Sequence, residues 1–212
     1  MGTLACMARP RKFDEQDVLT AARDTFWRGG YKATSVQDLA EATGLGAQSL
    51  YGAFGSKRDL FMRILDEYCA TQAAGLEAAV TADPSPWHGL TTAVVFEDDG
   101  RMELPPQGCL MANSIAALSA QDDDVQARAC RVYADTLALF ARQITEAQEK
   151  GEIDSDVDPT ETARALIAVM QGIEFLQKSG IAEDEVRRLK HAALDMIERS
   201  VTKTVDSEEL QP

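Results

Sequence analysis

The chain is poor in residues that do chemistry. Among 212 residues there are two histidines, His88 and His191. The four cysteines, Cys6, Cys69, Cys109 and Cys130, stand far apart with no CxxC. Metal sites need such donors at short, fixed spacings, so no metal site is expected. No Ser-His-Asp set and no phosphate-cradling loop can be assembled, which argues against a helical enzyme. No cofactor is expected. Long apolar runs are missing too, and none approaches the roughly 18 residues that span a bilayer. The opening MGTLACMARPRKF has no secretory hydrophobic stretch, and Cys6 stands where a myristoylation signal needs Ser or Thr. Met7 offers an alternative start. The expectation is a cytoplasmic protein with reduced thiols and no membrane partner. No strand, internal repeat or low-complexity run is evident.

What is present is helical periodicity. Hydrophobic content of 45% and charged content of 26% suit a soluble globular chain long enough to bury a core. The spacing predicts a first helix over about 14–28, with Asp14 as cap and Val18, Leu19, Ala22 and Phe26 on one face. Gly29-Gly30 stops it. Ser35 with Asp38 forms a capping-box variant that opens a second helix with Val36, Leu39 and Ala40 inside. Gly44 ends that helix, and Leu45 plugs the turn. A short third helix over about 46–53 points Leu50 and Phe54 inward, leaving Ala47, Gln48, Ser49 and Tyr51 on the other side. A second capping box, Ser56 to Asp59, starts a longer helix that buries Leu60, Phe61, Ile64, Leu65, Tyr68 and Leu76. That helix should connect two domains as a rod without a flexible linker.

Further on, Pro84 and Pro86 open a short helix through Trp87 to Phe96, and 97–106 reads as a loop. Helices follow over about 109–118 and 122–150. Asp158-Pro159 with Glu161 is a strong start signal for a helix to about 179. The last helix covers about 183–202. The fold class is all-α. Residues 1–56 form an N-terminal three-helix head with helix-turn-helix character, 1–12 being a flexible basic arm. Residues 57–204 form a larger helical body, and 205–212 a disordered tail.

Charge is divided unequally. Up to Arg63 nine basic residues face seven acidic ones, so this segment is near +2 and, with a total of −14, the remainder is near −16. An acidic body repels phosphates and orients a more basic head toward them.

The stretch TSVQDLAEATGLGAQSLYGAFGSK, Thr34 to Lys57, resembles the DNA-binding segment of the TetR family of one-component transcriptional repressors. The resemblance is carried by Gly30-Tyr31, Thr34-Ser35, Asp38-Leu39-Ala40, Gly44, Ser49-Leu50-Tyr51, Phe54, Lys57 and Leu60-Phe61. It implies that Thr34, Ser35, Tyr51 and Lys57 hold phosphates. It implies that Ala47, Gln48 and Ser49 face base edges. Gln can pair bidentately with adenine, and Ala can touch a thymine methyl. Arg11, in the arm, adds a further DNA contact. Ala53 stands where the family often has His, which removes one polar backbone contact.

The same resemblance implies a homodimer on a palindromic double-stranded operator, built from the last two helices. The interface candidates are Leu166, Met170, Ile173, Leu189, Ala193, Met196 and Ile197. It implies an unknown small-molecule effector within the body. Candidate lining residues are Trp87, Phe96, Cys109, Met111, Asn113, Tyr133, Phe140, Met170, Glu174 and Phe175, each of which could equally be core. The segment Gly108 to Asn113 resembles that of a subset of the family with a reactive cysteine. A thiolate at a helix N-terminus has a lowered pKa, so an oxidant- or electrophile-sensing Cys109 is one alternative. An effector-independent DNA-binding protein is another.

Overall fold

The computed structural model describes residues 13–95, 108–118 and 120–202. Among the described residues there are nine helices and no strand. They are α1 (Glu15–Gly29), α2 (Val36–Thr43), α3 (Ala47–Phe54), α4 (Lys57–Thr81), α5 (Pro86–Val95), α6 (Leu110–Leu118), α7 (Asp123–Glu149), α8 (Pro159–Lys178) and α9 (Glu183–Val201). The chain divides into two compact units, a head (Met1–Asp66) and a body (Glu67–Pro212), and α4 is continuous across the division.

In the head each start signal predicted from the sequence forms its bond. The Asp14 carboxylate accepts from Gln16 N–H at 2.8 Å. Ser35 Oγ accepts from Asp38 N–H at 3.1 Å while the Asp38 carboxylate accepts from Ser35 N–H at 2.7 Å. Ser56 and Asp59 repeat the arrangement at 3.1 and 2.8 Å. These bonds hold the Asp38 and Asp59 carboxyls below their ordinary range, through Ser35 and Ser56 respectively. Gly44 closes α2 at φ 68°, a left-handed conformation that costs a glycine little. Val18, Leu19, Ala22 and Phe26 of α1 are buried, as are Leu39, Leu50, Phe54, Leu60 and Phe61.

The body is built on α7 packed along α8, with α5 against both, α6 on α7 and α9 on α8. Its core gathers Val80, Leu90, Val94, Phe140, Ile144, Ala163, Leu166 and Ile173. Asp158 caps α8 at two N–H groups, with Pro159 at the first helical position where no donor is needed.

The starts of α5 and α6 combine a local acceptor with a distant one, and at α5 the local one is Ser85 Oγ, which accepts from His88 N–H at 3.1 Å. The Glu152 carboxylate, just past α7, accepts from Ser85 Oγ at 2.8 Å and from Trp87 N–H at 3.0 Å. The Glu174 carboxylate, on α8, accepts from Cys109 N–H at 2.6 Å, while Cys109 Sγ accepts from Ala112 N–H at 3.5 Å. Orphan donors at a helix start thus find acceptors 65 residues away. Residues 1–12, 97–106 and 205–212, for which an arm, a loop and a tail are expected, lie outside the described residues.

Candidate functional site

The helix α3 has two faces of opposite character. Leu50 and Phe54 are buried against the head core. Ala47, Gln48, Ser49 and Tyr51 are exposed on the other side, backed by that rigid floor. Gly52 and Ala53 add no polar group, so Gln48, Ser49 and Tyr51 carry the readable chemistry of this surface. It presents an amide, two hydroxyls and a methyl within one short helix, which suits the edges of bases in a major groove.

Flanking α3, Ser35 is exposed, its oxygen accepting from Asp38 N–H. Lys57 is the first residue of α4, half-buried, with its ammonium over the Tyr31 ring. Thr34 differs from expectation. It is 4% exposed, and its hydroxyl donates to Gly30 O at 2.8 Å. Its hydroxyl therefore braces the α1–α2 turn and is turned away from solvent, where a phosphate-holding role was expected. Arg11 lies outside the described residues.

The nine effector candidates among the described residues separate into three groups. Phe140, Met111 and Met170 are buried, Phe140 and Met170 in the main body core, and Trp87 packs against it half-buried. Tyr133 and Phe175 are exposed, Phe175 at 69%, so they line no interior site within the single chain. Cys109, Asn113 and Glu174 are brought together. Glu174 is 8% exposed and bonded to Cys109 N–H. Lys178, one turn on, donates to Asn113 Oδ1. Phe96 lies outside the described residues. Tyr68 joins the same cluster through the Cys109 sulfur.

Burial governs this cluster. It raises the Glu174 carboxyl above its ordinary range, with the Cys109 N–H and Lys178 acting in the opposite sense. It raises the Tyr68 hydroxyl as well. It also raises the Cys109 thiol, helped by the nearby Glu174 charge. The lowered thiol pKa expected at a helix N-terminus is overturned, because desolvation and a carboxylate outweigh the start of α6. Sequence reading missed Tyr68, taken as core, and Lys178. Lys178 lies four residues after Glu174 on one helix face, which is the available signal. Nothing local ties either to Cys109. An open depression elsewhere is lined by Asp154, Asp158, Glu161, Leu166, Ile197 and Val201, and none of the effector candidates borders it.

The interface candidates also divide. Leu166 at 0%, with Ile173 and Met170, is buried in the chain's own core and offers nothing to a partner. Ala193 and Ile197 are half-buried. Leu189 and Met196 are exposed, Met196 at 73%. Seven residues apart, Leu189 and Met196 lie on one face of α9. No described helix is long and apolar enough to cross a membrane.

Two family models match in chain order: the N-terminal model of bacterial regulatory proteins of the tetR family over residues 18–64, and a tetracyclin repressor-like C-terminal domain over 93–178. The HTH-type transcriptional repressor ComR of Escherichia coli K12 is 28% identical over 88% of this chain and 90% of its own length. The HTH-type transcriptional repressor DhaR of a Mycobacterium species is 29% identical over 74% of this chain and 78% of its own. Among solved structures, a cysteine mutant of the TetR family regulator CifR, complexed with 26bp operator DNA, is 28% identical. It covers 88% of this chain and 98% of that one, with a TM-score of 0.71. A TetR family regulator from Cytophaga hutchinsonii, 20% identical, shares the fold at a TM-score of 0.79, covering 91% of this chain and 98% of its own. With both domain models matched in order and relatives aligned along most of their length, the chain belongs to the TetR family of bacterial regulatory proteins.

Proposed function

We propose that this chain is a sequence-specific DNA-binding transcriptional repressor, acting in the cytoplasm as a homodimer on a palindromic operator. The observation that carries the reading is the exposed face of α3, with Gln48 at its centre, standing on buried Leu50 and Phe54. ComR and DhaR, both named as repressors, and the operator-bound CifR mutant support it. Ala47, Gln48 and Ser49 read bases. Ser35, Tyr51 and Lys57 hold the backbone. Leu189 and Met196, with Phe175, supply the apolar surface for a partner copy. Two heads about 34 Å apart then read successive major grooves. The body carries a small-molecule effector that favours the DNA-incompetent state. The raised Cys109 pKa does not favour thiol sensing.

Selection from a randomised duplex pool by the intact protein, followed by gel shift, tests this. Gln48→Ala should relax base preference by about 1–3 kcal/mol at one position of each half-site. Lys57→Ala should weaken all duplexes alike and reduce the salt slope by about one. An unchanged preferred sequence for Gln48→Ala would overturn the assigned facing of α3.

A further inference from the structure

Lys57 occupies an unfavourable place. It is the first residue of α4, where the aligned peptide dipoles present positive charge. Its side chain is long, and fixing such a chain on binding costs rotamer entropy. Two features hold it. One is the field of the Asp38 carboxylate. The other is the Tyr31 ring, whose centroid lies 4.5 Å from the ammonium. That ring is itself fixed. It stands 4.6 Å from the Phe61 ring and 6.0 Å from Phe26, and those two meet edge-on at 5.2 Å. Phe26 and Phe61 are buried in the head core. A three-ring assembly therefore leads from the core of the head to the face on which the ammonium rests.

We infer that Tyr31 is a positioning residue for the DNA backbone contact. Its ring face holds the Lys57 ammonium in place before a phosphate arrives. This rests on the reading of Lys57 as a phosphate-contacting residue. A cation over a ring is attracted by the negative charge of the ring face. The contribution of Tyr31 must then follow the electron density of the ring, with its size held constant. A ring that served only as packing would show no such dependence.

The test replaces Tyr31 by phenylalanine and then by phenylalanines carrying one, two and three ring fluorines in the full-length chain. Binding is measured against the duplex selected by the intact protein, and thermal midpoints are measured in parallel. Tyr31→Phe should bind within about twofold of the parent, and the trifluorinated ring about threefold more weakly than Tyr31→Phe. The loss should grow with each fluorine while the thermal midpoint stays well above the temperature of the binding measurement. In a Lys57→Ala background the dependence on fluorine should vanish. Affinity independent of fluorine number, with Lys57→Ala still weakening binding and lowering the salt slope, would overturn the positioning role alone. If Lys57→Ala leaves binding unchanged, the phosphate reading fails and the positioning role falls with it.

Discussion

Head and body differ in how far along the chain the acceptors at their helix starts lie. In the head the acceptors are neighbours in sequence: Asp14 for α1, Ser35 with Asp38 for α2, and Ser56 with Asp59 for α4. In the body α7 and α8 are capped locally by Asp122 and Asp158, whereas at α5 and α6 a local acceptor, Ser85 Oγ for His88 N–H and Cys109 Sγ for Ala112 N–H, is joined by a distant carboxylate, Glu152 for Trp87 N–H and Glu174 for Cys109 N–H. A local cap can be read from four residues of sequence. A distant one exists only once the tertiary fold brings it there. The exposed face of α3 is therefore specified largely by its own local sequence, whereas the body is specified more by packing.

Substitutions can break or sharpen that contrast. The largest effect should come from the body core. Phe140→Ala empties a fully buried site and should cost about 3–5 kcal/mol in denaturant unfolding of the body. Exposed Phe175→Ala, on α8, should leave the unfolding of the isolated chain nearly unchanged and act on dimer formation, measured by sedimentation.

Next comes the distant cap. Glu174→Ala leaves the Cys109 N–H without its acceptor and should cost about 1–3 kcal/mol. Glu174→Gln keeps an acceptor and removes the charge. Burial raises the Glu174 carboxyl above its ordinary 4.5, so above that value the folded body retains a proton that the unfolded chain has released. The contribution of this group to stability therefore falls as pH rises from about 4.5 through the raised folded value. Glu174→Gln should abolish that slope, and its stability relative to the parent should improve toward neutral pH. A parent and variant with parallel pH profiles would contradict the assignment.

The smallest effect should be the local cap. Ser35→Ala should cost about 1 kcal/mol, appearing as faster amide exchange confined to the start of α2. If exchange also accelerated in the body, the caps of the head would not be local in their consequences.

The same contrast explains what was legible in the sequence. The limits of α1, α2 and α3 and the exposure of Gln48 follow from caps, glycine stops and helical spacing over a few residues. The helix limits in the body were also legible. What covers each helix was not. Leu166 and Ile173 on α8 and Leu189 and Met196 on α9 show the same kind of apolar spacing, yet the first pair is core and the second faces outward. Periodicity identifies a face but not the neighbour that meets it. The place of the Thr34 hydroxyl was hidden for a related reason. A hydroxyl next to a helix start suggests a phosphate contact, and only the fold turns it toward Gly30 O. Glu174 and Tyr68 acquire their roles from Cys109, a residue distant in sequence from both.

The distant caps also set an order on the ribosome. Every cap of α1, α2 and α4 has been synthesised once Asp59 has emerged, so the head can close early, as N-terminal domains generally do. The N-termini of α5 and α6 have local acceptors from the start but are completed later. Trp87 N–H lacks its acceptor until Glu152 leaves the exit tunnel, and Cys109 N–H lacks its own until Glu174 does. A nascent chain stalled between those points would carry a finished DNA-reading head on an unfinished body.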